Sequence, residues 1–215
     1  MRSPRPTSLG DAPTASAHLA PSPRIPQYEM DEMDAYGPFA APAPHTDVEL
    51  AMLLALLAAP PAPGDGDRAR RRRRTAPATL TIGHSRDDAS VASATAFAEA
   101  WRAAGGTVLA LVDWPERAAS WLRAARRFTA GEPDAWVVAA APLGWAQMSR
   151  RLRHSTGWDP SRTYGFASVG DSRLVALAGP ETLHGMRGAT PDGGTWLIEH
   201  RWVTRQPPRP TPVRT

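Results

Sequence analysis

Between Thr79 and Ala141 the chain alternates two hydrophobic patterns, and few folds can accommodate that alternation. The apolar run Thr79-Leu80-Thr81-Ile82-Gly83 is followed by a helical pattern over Ala89–Ala104. Then come Thr107-Val108-Leu109-Ala110-Leu111-Val112, a second helical pattern over Pro115–Thr129, and Ala135-Trp136-Val137-Val138-Ala139-Ala140-Ala141. Strands that are apolar almost throughout must be covered on both faces, and strands alternating with amphipathic helices imply a parallel sheet. Short connections and right-handed crossovers leave few topologies for it.

The helices carry their own start and stop signals. In the first, Val91, Ala94, Phe97, Ala98, Trp101 and Ala104 recur at three- and four-residue steps, and Gly105-Gly106 supplies the left-handed C-terminus. In the second, Asp113 is placed to cap and Pro115 to occupy the first turn. Ala118, Trp121, Leu122, Ala125 and Phe128 form its stripe, and Gly131 closes it. Trp145, Met148 and Leu152 then mark a helix over Leu143–His154, and Thr163–Val169 reads as a fourth strand. Asp171 caps a helix over Ser172–Ala178 that stops at Gly179-Pro180. After His184 the turn signal Pro191-Asp192-Gly193-Gly194 and the run Thr195-Trp196-Leu197-Ile198-Glu199 predict a hairpin or edge strands. The expected fold is α/β: a three-layer sandwich with a mainly parallel sheet of four to five strands and helices on both faces, behind a disordered leader.

Composition divides the chain. Thirteen of the 23 prolines fall in residues 1–77, whereas all eight tryptophans fall between Trp101 and Trp202. Pro-rich polar chain cannot readily offset its ordering entropy, so the expected partition follows the aromatic residues. Residues 1–45 are a disordered Pro/Ala-rich leader, 46–59 an isolated apolar helix, 60–77 a Pro/Gly/Arg linker, 78–205 a single lobe, and 206–215 a disordered tail. The acidic stretch Tyr28–Tyr36 is a solvated piece of the leader or a short docking motif. Thr46-Asp47-Val48-Glu49 has the spacing of a capping box, opening a helix with Leu50, Met52, Leu53, Leu54, Leu56 and Leu57. A helix so apolar wants a partner, either the lobe or another chain through Leu50, Leu53, Leu54 and Leu57.

All 25 basic residues are arginine, but residues 78–205 hold fourteen against twelve acids, so the lobe has no concentrated field of the kind that marks a nucleic-acid binder. The run Arg68–Arg74 is either a solvated linker or a weak phosphate-backbone contact. With no cysteine there is no disulfide or thiol chemistry. No signal peptide is readable, and the apolar run Val48–Ala59 is too short to span a bilayer, so a cytoplasmic protein is the expectation.

Catalytic signatures are missing. The connection Gly83-His84-Ser85-Arg86-Asp87-Asp88 has one glycine and makes neither a phosphate-binding loop nor a dinucleotide fingerprint. Gly165-Phe166-Ala167-Ser168 lacks the second glycine of a nucleophile elbow, and polar residues such as Ser85 beside a helix start serve as caps. The six histidines show no zinc-ligand spacing along the chain. No enzyme, cofactor or metal is expected.

Three segments carry a family resemblance. Phe97-Ala98-Glu99-Ala100-Trp101-Arg102-Ala103-Ala104-Gly105-Gly106-Thr107-Val108 resembles the first helix and following strand of the second lobe of type I periplasmic binding proteins, the branched-chain amino acid receptors of ABC transporters. Gly131-Glu132-Pro133-Asp134-Ala135-Trp136-Val137-Val138 is similar to that family's approach to its third strand. Ala178-Gly179 through Leu183-His184-Gly185-Met186 is similar to its run into the interlobe crossover. The resemblance implies a ligand held between two lobes, at the carboxyl ends of the strands. The positions concerned are Ser85, Arg86, Pro142, Leu143, Trp145, Ser168 and Asp171. The expected function is non-enzymatic binding or sensing of a small amino-acid-like solute by a single, truncated or degenerate lobe. The alternative is a regulatory or interaction protein using helix 48–59 and the arginine run, with nucleic acid as one partner.

Overall fold

A computed structural model of the chain describes residues 22–35, 37–58, 77–179 and 181–208. The arginine run at 68–74, the stop at Pro60-Pro61, and the ends of leader and tail lie outside these residues. The described elements are α1 (Gln27–Asp34), α2 (Asp47–Ala58), β1 (Thr79–Ser85), α3 (Asp88–Ala103), β2 (Thr107–Trp114), α4 (Leu122–Thr129), β3 (Ala135–Ala139), α5 (Pro142–Ser155), β4 (Thr163–Gly165), α6 (Ser172–Ala178), β5 (Arg187–Ala189), β6 (Thr195–Glu199) and β7 (Trp202–Gln206).

The seven strands form one sheet in the order β2-β1-β3-β4-β5-β6-β7. The first five are parallel, and β6 and β7 add an antiparallel hairpin beyond β5. The mainly parallel three-layer sandwich is thus present, with two strands more than the apolar runs predict. Alternate residues of β3 serve alternate faces. Ala135, Val137 and Ala139 pack with Leu80, Ile82, Phe97, Trp101, Leu53 and Leu57 under α3 and α2. Trp136, Val138 and Ala140 pack with Trp114, Phe128, Trp145, Leu174 and Trp196 under α4, α5 and α6.

Two glycines make room for the large rings of the second layer. A Cβ on Gly83 would collide with the Trp114 ring and sit 2.7 Å from Phe128, so the bare backbone of β1 lets Trp114 lie across it. A Cβ on Gly188 would collide with the Gly165 carbonyl and the Trp196 ring.

Local expectations hold where capping chemistry is explicit. Asp87 accepts the Ser90 N–H at 2.8 Å to open α3, and Gly105 follows that helix at φ 86°. Asp171 accepts the Arg173 N–H at 2.8 Å to open α6. The second helix of the repeat begins later than predicted, at Leu122. The Trp121 Nε1–H donates to the Pro115 carbonyl at 3.0 Å and Glu116 is drawn to the start of α5, so residues 115–121 form a loop. Asp113 remains in β2 and pairs with Arg86 at 2.8 Å instead of capping. The fourth strand is also shorter than predicted. It ends at Gly165, and Ala167–Val169 form a 3-10 turn.

The leader differs most from expectation. Residues 27–34 are helical, and α1 lies beside α6. Arg150, only 4% exposed, reaches out of α5 to the Glu29 carboxylate at 2.6 Å and to the Ser22 carbonyl at 2.8 Å. The Leu-rich helix is not isolated, because α2 covers β4 and β5, with Leu53 and Leu57 fully buried. Burying two leucines contributes roughly 1.5–3 kcal/mol each. Those two side chains are therefore spent on the lobe and are not offered to another chain.

Candidate functional site

In a sheet of order 2-1-3-4-5, successive connections leave on opposite sides of β1 and β3, and a crevice opens at the carboxyl ends of those strands. Ser85 closes the base of that crevice. Its hydroxyl accepts the Ala141 N–H at 2.6 Å and donates toward Asp87 at 2.9 Å, tying the end of β1 to the end of β3. The Ser85 side chain is fully buried by this arrangement.

Above it lies a cavity of about 260 Å³. Its floor and walls include Ala139, Pro142, Phe166, Ser168 and Asp171 from the sheet edge, Ser90 and Ser93 from α3, and Arg205 from β7. Its roof is the leader: Ala40, Ala41, Pro42, Ala43 and Pro44 all border the space. Contacts at both ends of residues 37–46 hold this strap across the sheet edge. At one end the Arg173 guanidinium stacks over the Phe39 ring at 4.8 Å. At the other, His45 Nδ1 lies 3.2 Å from Ser93 Oγ, and the Thr46 hydroxyl donates to the Pro191 carbonyl at 2.7 Å.

Glu49 anchors the strap where it turns into α2. The capping box is formed: the Thr46 hydroxyl accepts the Glu49 N–H at 3.1 Å, and the Thr46 N–H points at the Glu49 carboxylate. The same carboxylate accepts the Ala167 N–H at 2.6 Å. Burial pushes the Glu49 carboxyl above its ordinary value, against the opposing pull of those N–H groups and of His45. The residues bordering the cavity thus include Glu49 and Asp171, whose carboxylates already accept main-chain N–H groups, together with Arg205, three serines and an apolar wall.

Of the residues named from the sequence, Pro142, Ser168 and Asp171 meet at this cavity. Ser85 sits beneath it as a tie between strands. Arg86 points to solvent and pairs with Asp113. Leu143 packs against the second-layer core. Trp145 lies away from the cleft, fully buried with ring centroids 5.7 Å from both Trp114 and Trp158. Sequence reasoning missed Glu49, Arg205 and the strap. The capping box was visible, but nothing in the local pattern says that its glutamate reaches a strand end 118 residues away.

No family model matches the chain, and no curated protein matches it. Solved structures do. A protein of Rhodospirillum rubrum assigned to a branched-chain amino acid ABC transporter is similar at 19% identity and a TM-score of 0.50, over 68% of this chain and 37% of that one. A substrate-binding periplasmic protein of Ralstonia solanacearum is similar at 16% identity and a TM-score of 0.52, over 75% and 42%. A Silicibacter pomeroyi protein, again assigned to branched-chain amino acid ABC transport, is similar at 16% identity and a TM-score of 0.52, over 77% and 39%. These findings correct the cytoplasmic expectation, because proteins with this fold include one described as periplasmic and one described as an extracellular ligand-binding receptor. Among the described residues no helix is long and apolar enough to cross a membrane. Spanning about two fifths of the length of the structures it matches, the chain has the α/β fold of one lobe of the ABC transporter substrate-binding proteins.

Proposed function

We propose that this chain is a non-enzymatic binding module that holds a small amino-acid-like solute beneath the strap. The observation that carries the reading is the roofed cavity at the carboxyl edge of β1, β3 and β4. A lone lobe would present that edge to water, whereas here residues 40–44 cover it. At about 260 Å³ the space lies just below the usual range of ligand pockets, about 300–1,000 Å³. Arg205 suits a ligand carboxylate, Asp171 suits an ammonium group, and Phe166 with the Ala/Pro roof suits an aliphatic side chain. The names of the similar structures point to the same class of solute.

Calorimetry of the full chain with isoleucine, leucine and valine tests the proposal, with Ser168→Trp as the blocking variant. Saturable heat in the wild type that disappears in Ser168→Trp is the expected result. Absence of heat with all three amino acids, or equal heat in the blocked variant, would overturn it. The alternative of an interaction protein is not favoured, because Leu53 and Leu57 of α2 are already buried in the lobe.

A further inference from the structure

The histidines show no ligand spacing along the chain, but the fold brings two of them together. The β5–β6 pairing runs from Ala189 facing Thr195 to Arg187 facing Leu197, and His184 and His200 lie just beyond its open end. There a bulge sets Gly185 and Met186 together against Ile198: the Gly185 N–H donates to the Ile198 carbonyl at 2.9 Å and the Ile198 N–H to the Met186 carbonyl at 2.8 Å, with Gly185 at φ 88°. The two imidazoles stack with centroids 4.9 Å apart and planes 23° from parallel. Glu181 joins them, its Oε1 lying 3.0 Å from His200 Nδ1. One ligand atom from each of the three residues lies within 4.8 Å of the others.

We propose that Glu181, His184 and His200 form a binding site for a divalent transition-metal ion of the zinc class. Zinc takes imidazole nitrogen and carboxylate oxygen at about 2.0–2.2 Å, which places neighbouring ligands of a tetrahedral site about 3.3 Å apart. The His200–Glu181 pair already stands at 3.0 Å, close to that spacing. His184 Nδ1 accepts the His200 main-chain N–H at 3.0 Å, and an ion bound at that nitrogen would take the place of this hydrogen bond. Two imidazoles and one carboxylate favour zinc, nickel or copper over calcium or magnesium. All three residues are exposed, which leaves water to complete the coordination and makes the desolvation cost of the ion small.

The backbone around the cluster is committed to this geometry. Glu181 and His200 both adopt left-handed conformations, at φ 63° and 53°, which non-glycine residues adopt only under local demand. At His200 the demand is the two-residue turn His200-Arg201 joining β6 to β7. A bound ion would staple this hairpin turn to the segment after α6. The inference is independent of any ligand beneath the strap.

The test is a zinc titration of the chelator-treated full chain by calorimetry, repeated on His184→Ala, His200→Ala and the double variant. The expected result is one zinc per chain, weakened at least about tenfold by either single substitution and lost in the double. Equal binding in the double variant would overturn the proposal, as would the absence of saturable heat in the wild type. Should a variant fail to fold, the wild type still decides. Substoichiometric nickel must broaden the imidazole resonances of His184 and His200 ahead of those of His45, His84 and His154, and uniform broadening refutes the site.

Discussion

The Glu49 carboxylate accepts the main-chain N–H of Ala167 at 2.6 Å, joining the first turn of α2 to the loop that follows β4. Removing the carboxylate by Glu49→Ala leaves a partly buried N–H without its acceptor. The expected loss is about 1–3 kcal/mol by chemical denaturation, with Glu49→Gln retaining part of it.

The same group sets a pH dependence of definite sign. Burial raises the Glu49 carboxyl above its ordinary 4.5, so the native state keeps this proton to higher pH than the unfolded chain does. Stability therefore falls as pH rises from 4.5 through the folded-state value. Burial raises Glu116 likewise, aided by the charge of Asp87. Denaturation curves across this range should be shallower in their pH dependence for Glu49→Gln than for the wild type, with Glu116 supplying the remaining slope.

Asp134 has the opposite sign. Burial alone would raise it, but the Thr79 hydroxyl, the N–H groups of Thr79 and Ala78, and the Arg162 charge together hold it below its ordinary 3.8. Its contribution is present above 3.8 and is lost as pH falls through the lower folded-state value. Asp134→Asn should cost about 1–3 kcal/mol at neutral pH, and the difference from the wild type should shrink on acidification through that range.

Gly83→Ala tests the close approach of Trp114 to β1. The added methyl has no free space between the Trp114 and Phe128 rings, so about 1–3 kcal/mol of overpacking is expected, together with a changed near-ultraviolet signal from Trp114.

Arg150 tests whether the leader is held by its buried guanidinium. Arg150→Met should release the contacts to Ser22 and Glu29 while leaving the sheet intact. Faster amide exchange at residues 22–35 and at the end of α6, whose Leu177 carbonyl also loses a guanidinium donor, is the expected outcome, and unchanged protection at 22–35 would refute the anchoring role.

The repeat from β1 to β3 was legible because each strand is an apolar run and each helix has a periodic stripe with a cap or a glycine stop. The start of α4 was misplaced because Ala118, Trp121 and Leu122 keep helical spacing through a loop that Trp121 and Glu116 hold with tertiary bonds. The strap was illegible for a related reason. Ala and Pro predict no regular structure, correctly, but its path depends on Phe39 meeting Arg173 and His45 meeting Ser93. Trp145 was assigned to the cleft from its place after β3, yet the first turn of α5 turns its ring into the aromatic core. The spacing of His184 and His200 along the chain shows no ligand pattern, because the bulge at Gly185 and the turn at residues 200–201 bring the two rings together, and neither can be read from local periodicity.

The seating of α2 on β4 and β5 has a consequence for how the protein is made. In vectorial synthesis α2 leaves the ribosome well before those strands exist, and Leu53 and Leu57 have no complete wall to settle against until Ala189 has been translated. For that interval the nascent chain carries an apolar helix without its wall, upstream of every strand that will come to cover it.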